Sequence, residues 1–228
     1  MKRALAMFAK TPLPGLVKTR LTPPLSAEEG ADLYRCMLLD TVTRARTLSL
    51  DPFICHDGCD LFFRESFPGM PLLQQRGSCL GSRLENAFDA LLGLGYQARA
   101  VIGTDAPDLP LAFIEDAFRL LEGGADAVFG PAEDGGFYLV ALNCGHGDLF
   151  REIPWSGPEV LKRSLEKAAG AGLSVALLPS WYDVDVFQDL CRPGLSDPLN
   201  GAPLSRAFIQ ARLGGALQPA DTAGLAAD

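Results

Sequence analysis

The sequence predicts an α/β protein, a three-layer α/β/α sandwich built on a mixed, mostly parallel sheet. Three observations carry that prediction. Short apolar runs of strand length alternate with longer segments of helical period, the order expected when crossover helices cover both faces of a parallel sheet. The run at residues 100–103 is apolar without alternation, as a doubly buried strand is, and it stops abruptly at Thr104-Asp105-Ala106-Pro107-Asp108. Beyond residue 130 the regular alternation of strand and helix loosens, so a mixed sheet with one antiparallel member is expected.

Residues 3–8 form the first strand. The helix at 26–48 opens with Ser26 and Glu29 at capping-box spacing and carries Ala31, Leu33, Tyr34, Met37, Leu38 and Val42 on a buried stripe, which marks it as scaffold. A strand at 52–56, a candidate short strand at 72–75, a helix at 80–94, the strand at 100–103, a helix at 111–122 and a strand at 127–130 continue the pattern. Then come the strand at 137–142, a helix at 158–169 with Ser156 as cap and Pro158 in its first turn, a strand at 173–178 and a short helix at 186–191. Residues 1–192 read as a single domain. Residues 193–228 read as an extension rich in Gly, Pro and Ala, with a candidate helix at 204–213 and a flexible tail over 214–228.

With 228 residues, 48% of them apolar and 21% charged, the composition is that of an ordinary soluble globular protein. A formal net charge of -8 argues against a nucleic-acid partner held along a phosphate-neutralising groove. The 6 cysteines contain no CxxC pair and read as buried free thiols in a reducing cytoplasm, not as zinc ligands or a disulfide framework. The apolar run behind Lys2-Arg3 is too short for a signal-peptide core or a membrane span, and no later segment is long enough to cross a bilayer, so a cytoplasmic location is expected. The sequence sets no oligomeric state.

The chemistry is expected at the carboxyl edge of the sheet, where open α/β folds keep their ligands. Asp105 emerges there and is the first candidate for a metal ligand; Asp105 and Asp108 equally suit caps of the helix that follows. The loop after the first strand combines Pro12, Pro14 and Gly15 with Lys10, Lys18 and Arg20, a stiff cationic cradle suited to a di- or triphosphate. It is neither a Walker A sequence nor a GxGxxG fingerprint. The polar turn from Gln74 to Leu84 offers backbone amides and the Gln75 side chain to the edge of a base, and it also fits a plain strand-to-helix connection. Glu133-Asp134-Gly135-Gly136 suits either an acceptor pocket or a tight turn. Asp185 has capping-box spacing to Gln188, and it would also supply a second carboxylate opposite Asp105. Neither His56 nor His146 has the neighbours of a Ser-His-Asp or Cys-His arrangement, which argues against covalent catalysis.

Taken together, AKTPLPGLVKTRL (9–21), GTDAPDLP (103–110), GPAEDGGFYLVAL (130–142) and WYDVDVFQDL (181–190) resemble the glycosyltransferase-like family of the nucleotide-diphospho-sugar transferase superfamily, over about residues 1–192. That superfamily has a GT-A type fold and includes cofactor guanylyltransferases. The resemblance implies a nucleotide or nucleotide-sugar partner, a small-molecule acceptor, and Mg²⁺ or Mn²⁺ on Asp105 with Asp185 as its partner. It implies catalytic roles for Lys10, Lys18, Arg20 and Asp105, and a nucleotide site of Phe8, Ala9, Lys10, Gln75, Gly77, Gly81, Arg83 and Thr104. The acceptor pocket would use Asp134, Gly135, Gly136, Tyr138 and Trp155. Relatives usually carry an acid where this chain has Cys79, and Thr-Pro where it has Val186-Phe187; the spacing of Asp105 and Asp108 also departs from a DxD pair. The expected activity is glycosyl transfer from a nucleotide sugar, with two alternatives: nucleotidyl transfer onto a small phosphorylated metabolite with release of pyrophosphate, and a non-catalytic nucleotide-binding module.

Overall fold

Burial on both faces of the central strands sets the layering. In the computed structural model, which describes residues 1–143, 145, 148–155 and 157–214, the elements are β1 (Arg3–Lys10), α1 (Ala27–Ala45), β2 (Asp51–Asp57), α2 (Asp60–Ser66), β3 (Leu72–Gln74), α3 (Leu80–Gly93), β4 (Ala98–Ile102) and α4 (Leu111–Glu122). They continue with β5 (Ala127–Pro131), β6 (Phe137–Leu142), α5 (Val160–Gly170), β7 (Val175–Leu177), α6 (Phe187–Leu190), α7 (Pro193–Ser196) and α8 (Pro203–Leu213). The strand order is β3-β2-β1-β4-β6-β5-β7. Strand β6 runs antiparallel to both β4 and β5, and the other pairings are parallel, so the mixed sheet with one antiparallel member stands.

Successive side chains of a strand point to opposite faces, and β1 divides its residues accordingly. Leu5, Met7 and Ala9 enter a core with Leu38 and Val42 of α1, Phe63 of α2 and Phe118 of α4. Ala4 and Ala6 enter a second core with Leu84, Phe88 and Leu91 of α3 and Ala168 of α5. Every residue of β4 is buried, which is why its sequence does not alternate. From β1 the chain steps outward to β2 and β3, then returns to place β4 on the other side of β1. The carboxyl ends of β1 and β4 therefore flank the crevice where the strand order reverses, the usual ligand position in such sheets. Because β6 is antiparallel, its first residues, Phe137 and Tyr138, reach the same edge.

The capping box of α1 is formed: the Ser26 hydroxyl accepts from the Glu29 amide at 3.1 Å, and the Ser26 amide donates to the Glu29 carboxylate at 2.9 Å. The helix closes at Ala45 and not at residue 48, because the Thr47 amide turns back to the Arg44 carbonyl at 3.0 Å. Helix α2 escapes sequence reading because 7 residues are too few to display a period. The expected cap Ser156 and the tail at 215–228 lie outside the described residues, as do Cys144 and His146.

Helix α8 lies against α1, and Ile209 and Leu213 share a third core with Leu33 and Met37. Asp40, buried in α1, accepts hydrogen bonds from the amides of Leu204 and Ser205 at 3.2 and 2.8 Å and from the Ser205 hydroxyl at 2.8 Å. A carboxylate is thereby fixed on the first turn of α8, where the helix dipole favours negative charge. Asp40→Ala strands these donors and is expected to lower unfolding free energy by about 3 kcal/mol in urea titrations; an unchanged midpoint would show that apolar contacts alone hold α8.

Candidate active site

The loop after β1 is anchored before it presents any charge. The Thr11 amide donates to the Asp57 carbonyl at 3.0 Å, and the Thr11 hydroxyl accepts from the Cys59 amide at 2.7 Å, tying the loop to the end of β2. Val17 and Leu21 are buried on either side of Lys18, whose backbone adopts a left-handed conformation with φ 51°. That turn sends the Lys18 side chain inward, leaving it 2% exposed. Its ammonium donates to the Asp105 carboxylate and, at 2.6 Å, to the Val184 carbonyl; an Asp185 oxygen lies 3.6 Å away. Arg20 reaches the other Asp185 oxygen at 3.3 Å. Lys18, Arg20, Asp105 and Asp185, which the sequence analysis drew from distant segments, thus meet at one point.

Asp105 is held there by its own backbone and by its neighbour. Its carbonyl accepts from the Val184 amide at 2.8 Å, while Thr104, fully buried, bonds Tyr34 at 2.8 Å and the Phe8 carbonyl at 3.2 Å. The Tyr34 hydroxyl also accepts the Lys10 amide at 3.0 Å, so the ends of β1 and β4 are pinned through one phenol. Neither Asp105 nor Asp108 caps α4, whose N-cap position is Pro110 and makes no side-chain bond. Asp108 instead turns into the protein and accepts from the Tyr182 hydroxyl, and burial pushes its carboxyl above the usual range. The capping reading of Asp185 is corrected too. Asp189 takes that task, accepting from the amides of Asp185 and Val186 at 2.9 and 2.8 Å, and the Asp185 carboxylate remains directed at Lys18 and Arg20.

These groups open onto a cleft of about 690 Å³, lined among others by Phe8, Ala9, Lys10, Lys18, Arg20, Gln75, Arg83, Asp105, Tyr138 and Asp185. At the end away from the acids, Gln75 donates to the Cys55 carbonyl at 2.8 Å and accepts from Arg83 at 3.2 Å, while Arg83 pairs with Asp57 at 2.7 Å. The remaining expected residues stand off the cleft wall. Gly77 packs so closely on the first turn of α3 that a Cβ would lie 2.2 Å from the Ser82 hydroxyl oxygen, and one on Gly81 would lie 2.3 Å from the Phe150 carbonyl oxygen. Thr104 sits behind the wall. Asp134 accepts from the Gly136 amide at 2.9 Å, and the Gly135 carbonyl accepts from Leu161 at 2.9 Å, which ties this turn to α5. Trp155 borders a second cavity of about 650 Å³ with Cys79, Leu80, Phe150 and Ile153.

Among the described residues no group of three His, Cys, Asp or Glu side chains forms a ready metal cage. The donor set nevertheless fits Mg²⁺ or Mn²⁺, since hard cations of this kind take one or two carboxylates and complete their shell with phosphate oxygens and water. Asp105 and Asp185 are such carboxylates, and the Lys18 ammonium shows that positive charge is accommodated between them.

Two cleft residues escaped sequence reasoning. Tyr34 was assigned to the scaffold stripe of α1; its signal was a hydroxyl on a buried face, which needs a partner. Asp183 also lines the cleft, and the spacing Asp183-Val184-Asp185 in an extended segment was the available sign that two acids share a face. Burial, then the Asp105 charge, pushes Asp183 up to about 7. The folded state consequently holds this proton more tightly than the unfolded chain does, so the contribution of Asp183 to stability falls as pH rises through the window from about 4 to about 7 and levels off above it. In urea titrations at about pH 5 and about pH 8, Asp183→Asn is expected to narrow the stability gap between the two conditions; a variant that keeps the whole gap would relocate the titration elsewhere.

The family DUF2064, described as "Uncharacterized protein conserved in bacteria", matches residues 38–157. A 2-phospho-L-lactate guanylyltransferase from Methanothermobacter thermautotrophicus is 29% identical over 193 residues, covering 76% of each chain. Among solved structures, a protein of Desulfovibrio desulfuricans G20, provisionally assigned as a nucleotide-diphospho-sugar transferase, superposes with a TM-score of 0.87 at 30% identity, over 95% of this chain and 97% of that one. A cytidylyltransferase from Leptospira borgpetersenii shares the fold alone, with a TM-score of 0.59 at 9% identity over 96% and 98% of the two chains. No helix among the described residues is long and apolar enough to cross a membrane. With more than half of its length matched, the chain belongs to the DUF2064 family and is a transferase of the nucleotide-diphospho-sugar transferase fold.

Proposed function

We propose that this chain is a metal-dependent nucleotidyltransferase, in which a small phosphorylated acceptor attacks the α-phosphorus of a nucleoside triphosphate and pyrophosphate leaves. The observation that carries the reading is the convergence of Lys18 and Arg20 with Asp105 and Asp185 on one end of the cleft, beside Lys10. Lys10 makes no ion pair among the described residues and is available to phosphate oxygens. The basic loop would bind the β- and γ-phosphates, and the base would lie toward Gln75 and Arg83. A divalent cation on Asp105 and Asp185 would supply charge neutralisation for the departing pyrophosphate. The protein needs no nucleophile of its own, because the acceptor attacks and the protein aligns and stabilises. His56, buried against Phe63 of α2, does not line the cleft.

The guanylyltransferase relative supports a guanine nucleotide as donor. The provisional assignment of the Desulfovibrio protein favours a second reading, glycosyl transfer from a nucleotide sugar. The two differ in the bond broken: at phosphorus in the first, at the sugar carbon in the second. Purified protein with Mg²⁺, GTP and a panel of small phosphorylated acids is expected to release pyrophosphate in an acceptor-dependent way. Release of a nucleoside diphosphate from a nucleotide sugar, without pyrophosphate from any triphosphate, would support the glycosyl reading. Tight nucleotide binding with neither product would leave a binding module.

A further inference from the structure

The buried cation of this site belongs to the protein itself. The Lys18 ammonium is surrounded by oxygen atoms from two segments: Asp105 on the loop after β4, then the Val184 carbonyl at 2.6 Å and Asp185 at 3.6 Å on the segment before α6. Carboxylate and carbonyl oxygens are the donors that a hard divalent cation takes. The lysine stands where such a cation would bind, with its side chain 2% exposed and its backbone in the left-handed region that non-glycine residues seldom adopt. A lysine and a divalent ion cannot share this space, because at such separations their mutual repulsion in a partly buried cleft is large.

We propose that Lys18 and the divalent cation occupy the space between Asp105 and Asp185 in turn, and that the phosphates of the incoming nucleotide draw the ammonium away. The nucleotide half of this exchange rests on the functional reading above. Lysine suits the task, since its flexible four-carbon stem lets a point charge swing from carboxylates to phosphates while its backbone stays in place. Lys18 already lines the cleft beside Lys10 and Arg20, so the alternative partner arrives within reach. Before the nucleotide binds, the ammonium neutralises the two carboxylates and keeps them together; metal alone must displace it and gains little. Metal and nucleotide consequently bind with positive coupling, each removing an obstacle to the other.

Titration of Mn²⁺ followed by the loss of its free-ion electron paramagnetic resonance signal tests this on the full chain without turnover. Wild type is expected to bind Mn²⁺ alone at least about tenfold more weakly than in the presence of GTP, once the Mn²⁺ taken up by GTP itself in a protein-free titration is subtracted, and Lys18→Met, which removes the competing charge at similar volume, to bind Mn²⁺ alone at least about tenfold more tightly than wild type. Equal or weaker Mn²⁺ affinity in a folded Lys18→Met overturns the exchange. If that variant does not fold in metal-free buffer, Mn²⁺ must restore a cooperative melting transition by taking over the ammonium's place; failure to restore it also overturns the exchange. The comparison in Mn²⁺ alone uses no nucleotide. A tightened Lys18→Met site that GTP leaves unchanged would therefore overturn the nucleotide reading while leaving the shared cation space intact.

Discussion

One buried ammonium organises the candidate active site. Lys18 joins the loop after β1 to the loop after β4 and to the segment before α6, three stretches that hydrophobic burial brings near each other without fixing their register. Val17, Leu21 and Val184 supply the non-directional pull. The charge supplies the direction, because a lysine taken out of water is tolerable only where oxygen atoms meet it. Asp105 and Asp185 lie on the cleft wall, partly open to solvent, because they answer that demand from one side only.

The sheet makes this convergence possible. Strands β1 and β4 are parallel neighbours at the reversal of strand order, so the segments that leave their carboxyl ends flank a single crevice. The antiparallel β6 then brings Phe137 and Tyr138 to the same edge, where both border the cleft while their rings pack into the cores on opposite faces of the sheet. Tyr34 adds a cross-link from α1, through Thr104 and the Lys10 amide, that holds the two strand ends at a fixed spacing. Asp108 and Tyr182 make a second link behind the site, between the loop after β4 and the segment before α6. The segments that position charge in the cleft are thus cross-linked to one another by side-chain hydrogen bonds.

Much of this was legible in the residues. Doubly buried β4 announced itself as an apolar run without alternation, and the Ser26–Glu29 box marked the start of α1, since both depend on local chemistry alone. The meeting of Lys18 and Arg20 with Asp105 and Asp185 was legible for a different reason: each segment follows a strand end or ends a motif, and parallel topology sends such ends to one edge. What failed was the finer assignment among neighbouring acids. Asp185 and Asp189 both stand near the start of α6, and only the chain's path decides that Asp189 caps while Asp185 faces the lysine. Asp105 and Asp108 are equally alike in sequence, yet one opens to the cleft and the other is buried against Tyr182. Tyr34 and Asp183 were hidden because a side chain's use at a site depends on tertiary neighbours that its own segment does not contain. Helix α2 was hidden by its brevity.

The central claim is that the basic loop after β1 and the carboxylates of Asp105 and Asp185 form one site for a metal-bound nucleotide. A crystal structure with Mn²⁺ and GTP, with the metal located by anomalous scattering, tests it most directly. The account predicts a single strong anomalous peak within about 2.5 Å of an Asp105 carboxylate oxygen, with the triphosphate against Lys10, Lys18 and Arg20. Manganese or triphosphate bound on another face of the sheet, with the Lys18–Asp105 pair undisturbed, would contradict it.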